Sequence, residues 1–366
     1  MKESKLRAVV IGAGRIANDA HIPALKALAG RVELTAICSR RAENAKAMAK
    51  THGFSHWYTD CEKMFREQRI DLACICTPNQ SHGPLSKLAL ECGAHVICEK
   101  PLSICAAEAE ALYQCANDHH RSLVACQNMR YDPSIVLARN LVERGELGDI
   151  YYATFTYLRR RGIPDWGGFH RKADNGGGCM CDLGVHQLDA LLWILGNPRF
   201  ESVTGFAATH IGNRKSPSKD DNKPSSPDGK VPHRFHPSEM DVEEFAAGSI
   251  VLENGCRIDF KTSWAVNLPD ERNIRLAGTR AGLCLPEDTV FSEYAGHQAD
   301  IHFPTTAEAR LWNSGHRDLI LDVVDHVQFG CPLPIKPEET LNVTRILDAF
   351  YRSAVEHREI RANEIQ

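Results

Sequence analysis

The sequence predicts an α/β protein of two domains, in which a doubly wound parallel sheet is followed by an α+β domain with a large, open, mostly antiparallel sheet. Three observations lead to this prediction. The 366 residues exceed one ordinary core and suit two domains. Apolar runs alternate with helical patterns through residue 126, as in parallel strands covered on both faces. After Asp132-Pro133 the strands lengthen and turn signals separate them, as in an antiparallel sheet.

The element pattern follows this division. In the first domain, residues 1–126, apolar runs predict strands at Arg7–Ile11, Glu33–Cys38, Leu72–Thr77, His95–Cys98 and Ser122–Cys126, and helical spacing predicts helices at Ala20–Ala29, Ala42–His52, Gly83–Glu91 and Ala106–Asn117. In the second, residues 127–366, a helix near Ser134–Glu143 precedes strands at Tyr151–Leu158, Phe200–Thr209, Glu243–Leu252 and Cys256–Trp264, and helices at His316–Phe329 and Pro337–Glu356 close the chain. The polar segment 212–238 is expected to be a mobile loop, which either covers the active site or is a passive insertion.

Composition and charge narrow the class of protein. Apolar residues make up 43% of the chain and charged residues 25%, and no apolar run approaches the roughly 18 residues of a membrane span. The net charge is −4, both signs are mixed along the chain, and no basic stripe suits a nucleic acid. We therefore expect a soluble protein with a small-molecule partner and without a nucleic-acid or membrane partner.

The cysteines and the start of the chain indicate the compartment. The chain runs almost directly into the apolar stretch Leu6–Ile11, which is too short for a signal peptide, so a cytoplasmic location is expected. Many of the fourteen cysteines lie in apolar patterns such as Ala73–Cys76 and Val96–Cys98, which is typical of reduced, buried thiols. Cys179 and Cys181 lack a second pair at zinc-site spacing, so no metal site is predicted.

A glycine motif follows the first predicted strand. Its six residues are Gly12-Ala13-Gly14-Arg15-Ile16-Ala17, a G-x-G-x-x-A pattern between a strand and a helix. In a Rossmann domain the first glycine permits the tight turn, the second lets the backbone approach a pyrophosphate, and the alanine keeps the helix close to the strand. Free N–H groups at the helix start attract phosphate. The motif therefore predicts a dinucleotide site, and the alternative is a glycine turn with a structural role only.

The end of the second predicted strand bears on the choice of cofactor. An acidic residue usually stands there to hold the ribose 2′-hydroxyl of NAD, but this chain has Ser39 and Arg40. A guanidinium pairs with a 2′-phosphate or stacks on adenine, which favours NADP over NAD. The alternative is that Arg40 and Arg41 open the next helix at the surface.

Two further loops follow strands at the same edge of the predicted sheet. Thr77-Pro78-Asn79 comes after the third strand, and Glu99-Lys100-Pro101 comes after the fourth. Loops at the carboxyl ends of parallel strands meet the cofactor in doubly wound folds. Lys100 is therefore expected to reach the nicotinamide and the substrate, and a strained loop fixed by Pro101 is the alternative.

A second constellation lies in the C-terminal domain. Three glycines, Gly176–Gly178, precede Asp182 and His186, which share one face of a helix if the spacing is α-helical. A histidine with a pKa near neutrality suits proton exchange with a substrate hydroxyl while hydride leaves the same carbon. The glycines indicate a backbone that approaches something closely. The alternative for His186 is a structural helix residue.

At these residues the chain resembles the glucose-fructose oxidoreductase / inositol dehydrogenase (Gfo/Idh/MocA) family, from about Leu6 to Ile360. The matching segments are the glycine motif, His21-Ile22-Pro23-Ala24, Thr77-Pro78-Asn79 with His82, Glu99-Lys100-Pro101, and the Gly176–His186 segment. The resemblance implies a catalytic group of Lys100, Asp182 and His186, in which His186 exchanges the proton, Lys100 polarises the hydroxyl oxygen and Asp182 binds substrate. Whether Lys100 or His186 moves the proton stays open. The resemblance also implies that the open sheet forms a homo-oligomer, a dimer or tetramer.

The remaining cofactor residues follow from position in these motifs, and the stretch Arg159–Gly167 resembles a segment of sugar-acting family members that leads into the substrate pocket. Asn267 comes shortly after the predicted strand that ends at Trp264. The expected cofactor site comprises Gly12, Gly14, Arg15, Ile16, Ser39, Arg40, Thr77, Pro78, Asn79, His82, Glu99, Lys100 and Gln127. The expected substrate site adds Arg159, Trp166 and Asn267 to Lys100, Asp182 and His186. Arginines would hydrogen-bond sugar hydroxyls and Trp166 would offer a face to the ring, with core packing of Trp166 as the alternative.

These features predict an NAD(P)-dependent oxidoreductase that transfers hydride between nicotinamide and a secondary hydroxyl or ketone of a sugar, glycoside or inositol. Two alternatives stay open. A tightly bound NAD(H) could serve transient sugar oxidation during glycoside cleavage or elimination. A catalytically inactive nucleotide sensor would keep the fold without the activity.

Overall fold

The structure of the protein is a computed structural model that describes residues 5–164, 167–214, 236–304 and 313–365. The described residues form two compact units. The first comprises residues 5–103, 107–128 and 313–340, and the second comprises 104–106, 129–304 and 341–365. Helix Ser314–Phe329 thus belongs to the first unit, whereas the sequence pattern grouped it with the second domain.

The first unit contains a six-stranded parallel sheet in the order β3-β2-β1-β4-β5-β6. Numbered along the whole chain, its strands are β1 (Leu6–Ile11), β2 (Val32–Cys38), β3 (His56–Tyr58), β4 (Leu72–Ile75), β5 (His95–Cys98) and β6 (Leu123–Ala125). Its helices are α1 (Ile22–Ala27), α2 (Ala42–His52), α3 (Cys61–Glu67), α4 (His82–Glu91), α5 (Ala106–Asp118) and α9 (Ser314–Phe329), and a π-helical turn spans Ala17–His21. The chain changes direction across the sheet between β1 and β4, where doubly wound folds bind nucleotides. The predicted doubly wound sheet is confirmed.

Burial explains why these strands read as continuous apolar runs. Val9 and Val10 of β1 are both fully buried, so neighbouring residues on opposite faces of the strand are covered. Helix α2 has its predicted bounds and ends at Gly53, whose φ of 82° is a left-handed cap.

Helix α9 packs on the first unit through polar contacts that span almost the whole chain length. Arg31 Nη2 lies 2.6 Å from Asp325 Oδ1, and Ser122 Oγ lies 2.8 Å from His326 Nε2. These partners are remote in sequence, so a local pattern gives no sign of them.

The second unit is built on a nine-stranded mixed sheet in the order β14-β13-β12-β11-β7-β10-β9-β8-β15. Its strands are β7 (Ile150–Leu158), β8 (Phe200–Ala208), β9 (Phe245–Leu252), β10 (Arg257–Ser263), β11 (Glu271–Gly278), β12 (Gly282–Leu285), β13 (Thr289–Tyr294), β14 (His297–His302) and β15 (Ile360–Arg361). Its helices are α6 (Pro133–Glu143), α7 (Lys172–Asn175), α8 (Val185–Ile194) and α10 (Pro337–Glu356) from residue 341 onward, and a π-helical turn spans Met180–Gly184. All neighbours are antiparallel except β7 and β10, which pair in parallel. The expected mostly antiparallel sheet is confirmed.

Aromatic rings form the centre of the second unit's core. The Phe155 and Phe260 rings stack with centroids 5.1 Å apart, and Phe350 of α10 meets Phe260 edge-on at 5.7 Å. Each ring is at most 2% exposed. Such rings bury large apolar areas, so this cluster joins strands β7 and β10 to helix α10.

Strands β11 to β14 have no counterpart in the predicted elements. The residues of β14 are almost all exposed, and those of β13 are partly so, which removes the apolar alternation that marks a half-buried strand. Within the described part of the chain, no helix is long and apolar enough to cross a membrane.

Candidate active site

The two glycines of the motif after β1 differ in what their surroundings require. Gly12 has a φ of 110°, and a Cβ there would lie 2.3 Å from the Cys76 carbonyl oxygen, so packing alone demands glycine. Its N–H donates to the Cys38 carbonyl oxygen at 2.8 Å. A Cβ on Gly14 would meet no atom within 4 Å. The open space at Gly14 fits the approach of a dinucleotide pyrophosphate.

Gly14→Ala is therefore expected to weaken dinucleotide binding about tenfold or more, because the new methyl group occupies the pyrophosphate's approach. The free energy of unfolding should change by less than about 0.5 kcal/mol, as for surface substitutions. Titration of the dinucleotide and chemical denaturation measure the two quantities. Gly30→Ala is the matched control, because Gly30 is exposed and equally open. Unchanged affinity in Gly14→Ala would remove this turn from the dinucleotide site.

The structure at the end of β2 is compatible with both interpretations of Arg40 and Arg41, a phosphate contact or a surface position at the start of the next helix. Arg41 is the N-cap residue of α2 and is exposed, as a helix-opening residue would be. Arg40 is also exposed, and no carboxylate of the described residues pairs with it. Ser39 is half-buried, and its N–H donates to the Tyr58 carbonyl oxygen at 3.0 Å. Arg40 is thus available to a phosphate group.

His82 links the loops that follow β4 and β5. Its Nδ1 lies 2.7 Å from the Pro101 carbonyl oxygen and its Nε2 lies 2.9 Å from that of Thr77. Burial lowers the pKa of His82, although the two carbonyl groups act in the opposite direction. A neutral ring donates to only one of the two oxygens. His82 therefore has a role in holding the two loops, and its predicted contact with the cofactor stays a prediction.

Glu99 lies in a buried cluster that the motifs did not reveal. His21 Nε2 donates to Glu99 Oε1 at 2.6 Å, and His316 Nε2 lies 3.3 Å from the same oxygen. Burial would raise the pKa of Glu99, but hydrogen bonds and charge from His21 and His316 hold it well below its usual range. Glu99 is therefore an ionised carboxylate next to Lys100, whose backbone N–H lies 3.3 Å from Glu99 Oε2.

Within the described residues, the side chains of this cluster are of the types that bind metal ions. His21, Glu99, Cys126 and His316 place one ligand atom each within 4.8 Å of the others, and all four are buried. Tetrahedral zinc with bonds near 2.1 Å separates neighbouring ligand atoms by roughly 3.4 Å. The 2.6 Å between His21 Nε2 and Glu99 Oε1 is a hydrogen-bond distance instead. The geometry therefore favours a hydrogen-bonded network.

Lys100 and Gln127 follow neighbouring strands. Lys100 comes two residues after the end of β5 and is half-buried. Gln127 follows β6 and is 2% exposed, and its Oε1 finds no hydrogen-bond partner in the described residues. A buried amide oxygen without a partner is costly unless a ligand supplies one. This oxygen and the open space at Gly14 both fit a bound dinucleotide, which Gln127 and the glycine turn would hold.

Asp182 and His186 occupy consecutive turns of different type. Asp182 lies in the π-helical turn Met180–Gly184, and His186 lies in the first turn of α8. The α-helical spacing used to place them on one face therefore does not apply across this junction. Asp182 is held by Trp264 instead, whose Nε1 donates to Asp182 Oδ2 at 2.9 Å. Both Asp182 and His186 are half-buried, so each is accessible to a ligand.

The glycines before Asp182 approach other parts of the same unit. A Cβ on Gly177 would lie 2.1 Å from the Tyr351 hydroxyl, and one on Gly178 would lie 1.9 Å from the Glu243 carbonyl oxygen. Glu243 accepts hydrogen bonds from the N–H groups of Gly178 and Met180 at 2.9 and 3.0 Å. Burial raises the pKa of Glu243, although these donors act in the opposite direction. The close approach expected at these glycines is thus a contact with the protein's own core.

Helix α8 is anchored by a buried ion pair. Arg130 Nε and Nη2 donate to the two carboxylate oxygens of Asp189 at 2.9 and 2.6 Å. The side chains are 5% and 1% exposed. A bidentate pair of this kind fixes geometry as well as charge, and it lies one helical turn from His186.

A cavity of about 360 Å³ lies at the end of β7. Its lining includes Tyr157, Arg159, Arg161, Asp270, Glu271 and Arg272. The Arg159 and Arg272 guanidinium groups each lie 5.1 Å from the Tyr157 ring centroid. Charged groups of both signs suit a polyhydroxylated ligand, because they offer donors and acceptors to its hydroxyl groups.

Arg159, which lines the cavity, is linked to Asp182 through Ser263 and Trp264, although Asp182 is not itself part of the lining. The N–H of Arg159 donates to the Ser263 carbonyl oxygen at 3.0 Å, and Trp264, which follows Ser263, bonds Asp182. Asn267 is exposed and accepts from Arg161 Nη2 at 2.9 Å. The predicted residue Trp166 lies outside the described residues, as do positions 215–235 of the polar segment.

The first unit of the chain is a doubly wound sheet with a glycine turn of the dinucleotide-binding type. In the second unit the Asp182 carboxylate, hydrogen-bonded by Trp264, lies just before helix α8, which carries His186. Those features define a dinucleotide-dependent oxidoreductase. A model described as an oxidoreductase family with an NAD-binding Rossmann fold matches residues 6–126, and a GFO/IDH/MocA C-terminal domain model matches residues 135–284. The chain belongs to the GFO/IDH/MocA oxidoreductase family, and the predicted membership is confirmed.

Individual relatives span nearly the whole chain. It is 29% identical to D-glucoside 3-dehydrogenase of Escherichia coli (strain K12) over 357 residues, 97% of each protein. It is 25% identical to scyllo-inositol 2-dehydrogenase (NADP(+)) of Bacillus subtilis (strain 168), covering 98% of this chain and 96% of the relative. A solved structure of levoglucosan dehydrogenase with NADH and levoglucosan has a TM-score of 0.81 at 21% identity, covering 98% of this chain and 100% of that one, which supports the fold.

Proposed function

We propose that the protein oxidises a secondary hydroxyl of a sugar, glycoside or inositol, or reduces the corresponding ketone, with a nicotinamide dinucleotide as hydride carrier. The observation that carries the proposal is Asp182, fixed by Trp264 directly before the helix of His186, in a chain whose first unit is a dinucleotide-binding sheet. Two relatives that match over almost their whole length are named for activity on a D-glucoside and on scyllo-inositol, which supports the same substrate class.

The proposed catalytic group is Lys100, Asp182 and His186. A bound oxidised nicotinamide would supply the acceptor for the hydride that leaves the substrate carbon. His186 removes the hydroxyl proton as that hydride leaves, because an imidazole titrates near neutral pH. The Lys100 ammonium polarises the same oxygen, and Asp182 accepts a hydrogen bond from a neighbouring hydroxyl. In the direction of reduction, His186 returns the proton to the forming alkoxide.

We also propose that the cavity lined by Tyr157, Arg159 and Arg272 holds part of the sugar. Its guanidinium groups supply donors, and the carboxylates of Asp270 and Glu271 supply acceptors, for sugar hydroxyls. Its connection through Ser263 and Trp264 to Asp182 supports a shared role in substrate binding. Asn267, which bonds Arg161, and Trp166 belong to the same proposal.

The cofactor preference is proposed to be NADP, because exposed Arg40 has no carboxylate partner in the described residues. Arg40→Asp is expected to weaken NADP binding about tenfold or more relative to NAD, through loss of a charge-assisted hydrogen bond and repulsion of the 2′-phosphate. Dissociation constants of both dinucleotides measure this effect. Arg41→Asp, one residue further along and at the start of α2, is the control. An equal loss of NAD and NADP affinity in Arg40→Asp would assign Arg40 to the surface.

The assay that tests the proposed activity is absorbance of reduced nicotinamide with NAD or NADP and a panel of inositols, sugars, sugar acids and glycosides. A rise with one cofactor and one sugar class is the expected result. Silence across the panel, with dinucleotide binding demonstrated separately, would contradict net dehydrogenation. A closed redox cycle would then appear as turnover of a glycoside without free reduced cofactor, and a sensor as binding without turnover.

We further propose a cytoplasmic homo-oligomer assembled through the nine-stranded sheet. Large apolar side chains are exposed on its strands, namely Tyr151, Phe206, Phe291, Tyr294 and Ile301. Exposed apolar surface of this kind marks interaction sites. The fourteen cysteines, all within the described residues, form no disulfide, which agrees with a reducing compartment.

A further inference from the structure

Two cysteine side chains of the first unit are in contact where strand β2 ends and helix α3 begins. Cys38 is the last residue of β2 and is 2% exposed, and Cys61 is the first residue of α3 and is half-buried. Their Sγ atoms lie 3.3 Å apart and share a hydrogen bond. A disulfide requires about 2.05 Å between the sulfurs, so they must approach by roughly 1.2 Å. One thiol of the pair is accessible and the other is covered.

The backbone of Cys38 is bonded to the expected cofactor site. Its carbonyl oxygen accepts the Gly12 N–H at 2.8 Å, which ties the glycine turn to the end of β2. The next residue, Ser39, donates its N–H to the Tyr58 carbonyl oxygen at 3.0 Å. Ser39 and Arg40 are the residues expected at the adenosine ribose. Movement of Cys38 therefore displaces the turn and the ribose-binding residues together.

We propose that Cys38 and Cys61 form a reversible disulfide on exposure to hydrogen peroxide, and that this disulfide weakens dinucleotide binding. The Cys61 thiolate attacks one peroxide oxygen, the O–O bond breaks, and Cys61 becomes a sulfenic acid as hydroxide leaves and takes up the thiol proton. Cys38 sulfur then attacks Cys61 sulfur, and the sulfenic oxygen leaves as water with the Cys38 proton. Two thiols and one peroxide give one disulfide and two waters.

The assignment of Cys61 as the attacking sulfur rests on access and on the shared hydrogen bond. The hydrogen bond with Cys38 lowers the pKa of Cys61, although burial and Asp60 act in the opposite direction. The same hydrogen bond, together with burial, raises the pKa of Cys38. Thiolates are the species that peroxide oxidises. A partly exposed low-pKa thiol next to a covered thiol is the arrangement of a peroxidatic and a resolving cysteine.

The inference rests on the dinucleotide site proposed above, and its chemistry is measured without that site. Purified protein is treated with hydrogen peroxide, digested under non-reducing conditions and analysed by mass spectrometry. The expected product is a linked pair of peptides containing Cys38 and Cys61, lighter by two hydrogens and separated again by dithiothreitol. Persistence of both thiols at peroxide concentrations that oxidise exposed Cys92, or pairing of Cys61 with another cysteine, would overturn the proposal.

Dinucleotide affinity of the same samples tests the consequence. Oxidation is expected to raise the dissociation constant roughly fivefold or more, by loss of a hydrogen bond at the glycine turn, and dithiothreitol should restore it. Cys61→Ser should bind dinucleotide normally and resist the change, whereas Cys92→Ser, the matched control, should remain sensitive. A linked peptide with unchanged affinity would overturn the regulatory part. Failure of the reduced protein to bind dinucleotide would instead contradict the proposed function.

Discussion

Lys100→Met and His186→Ala are each expected to lower kcat about 10²-fold or more while dinucleotide binding survives. Lys100 follows β5 at the edge of the sheet where the glycine turn lies, and His186 lies in the first turn of α8 after the fixed Asp182. Loss of His186 removes the group proposed to take the hydroxyl proton. Loss of Lys100 removes the charge proposed to stabilise the developing alkoxide.

Steady-state kinetics with the substrate found in the absorbance assay, and direct titration of the dinucleotide, measure the two effects separately. Lys87→Met on α4 and His297→Ala on β14 are matched controls. These substitutions remove the same chemical groups, an ammonium and an imidazole, from exposed positions. Unchanged turnover in both Lys100→Met and His186→Ala would contradict the catalytic assignment. Loss of dinucleotide binding in His186→Ala would indicate unfolding, which circular dichroism detects.

Arg130→Ala is expected to lower the free energy of unfolding by about 3–5 kcal/mol, because it leaves the Asp189 carboxylate buried without its bidentate partner. Both side chains lie almost completely out of solvent. Since Asp189 lies one turn beyond His186 on α8, the remaining folded protein should also lose turnover. Chemical denaturation monitored by circular dichroism measures the free energy of unfolding.

The exposed pair Arg66 and Glu62 provides the control for this prediction. Their side chains are 65% and 70% exposed, so Arg66→Ala should change the free energy of unfolding by less than about 1 kcal/mol. The double variant Arg130→Met with Asp189→Leu should recover much of the lost stability, because no uncompensated charge remains. Equal stability of Arg130→Ala and the parent protein would show that the buried pair does not hold α8.

The first unit could be predicted from sequence to the extent that its contacts are local. Parallel strands buried on both faces read as apolar runs, as Val9 and Val10 illustrate, and α2 has the predicted bounds. Helix α9 was predicted as a helix but not as part of this unit, because its ion pair with Arg31 joins residues almost three hundred positions apart. Strand β14 was missed because its exposed polar residues carry no alternation.

In the candidate site, too, some residues could be predicted from the sequence and others could not. Motif residues such as Gly12 and Lys100 could be named because a strand end fixes their position within a few residues. The side chains that hold them could not, because His316 reaches Glu99, and Trp264 reaches Asp182, from distant parts of the chain. Cys179 and Cys181 are buried, and the glycines before them approach Glu243 and Tyr351, contacts that no local pattern indicates.

The measurement that tests the central claim most directly is deuterium transfer from a sugar to the cofactor. The substrate is labelled at the carbon that carries the reacting hydroxyl, and the nicotinamide dinucleotide is recovered after turnover and analysed by mass spectrometry. The unaltered protein is expected to yield reduced dinucleotide carrying one deuterium, and Lys100→Met or His186→Ala is expected to yield about 10²-fold less in the same time. Oxidised sugar with unlabelled cofactor, or cofactor that stays oxidised with every labelled sugar while binding is intact, would contradict it.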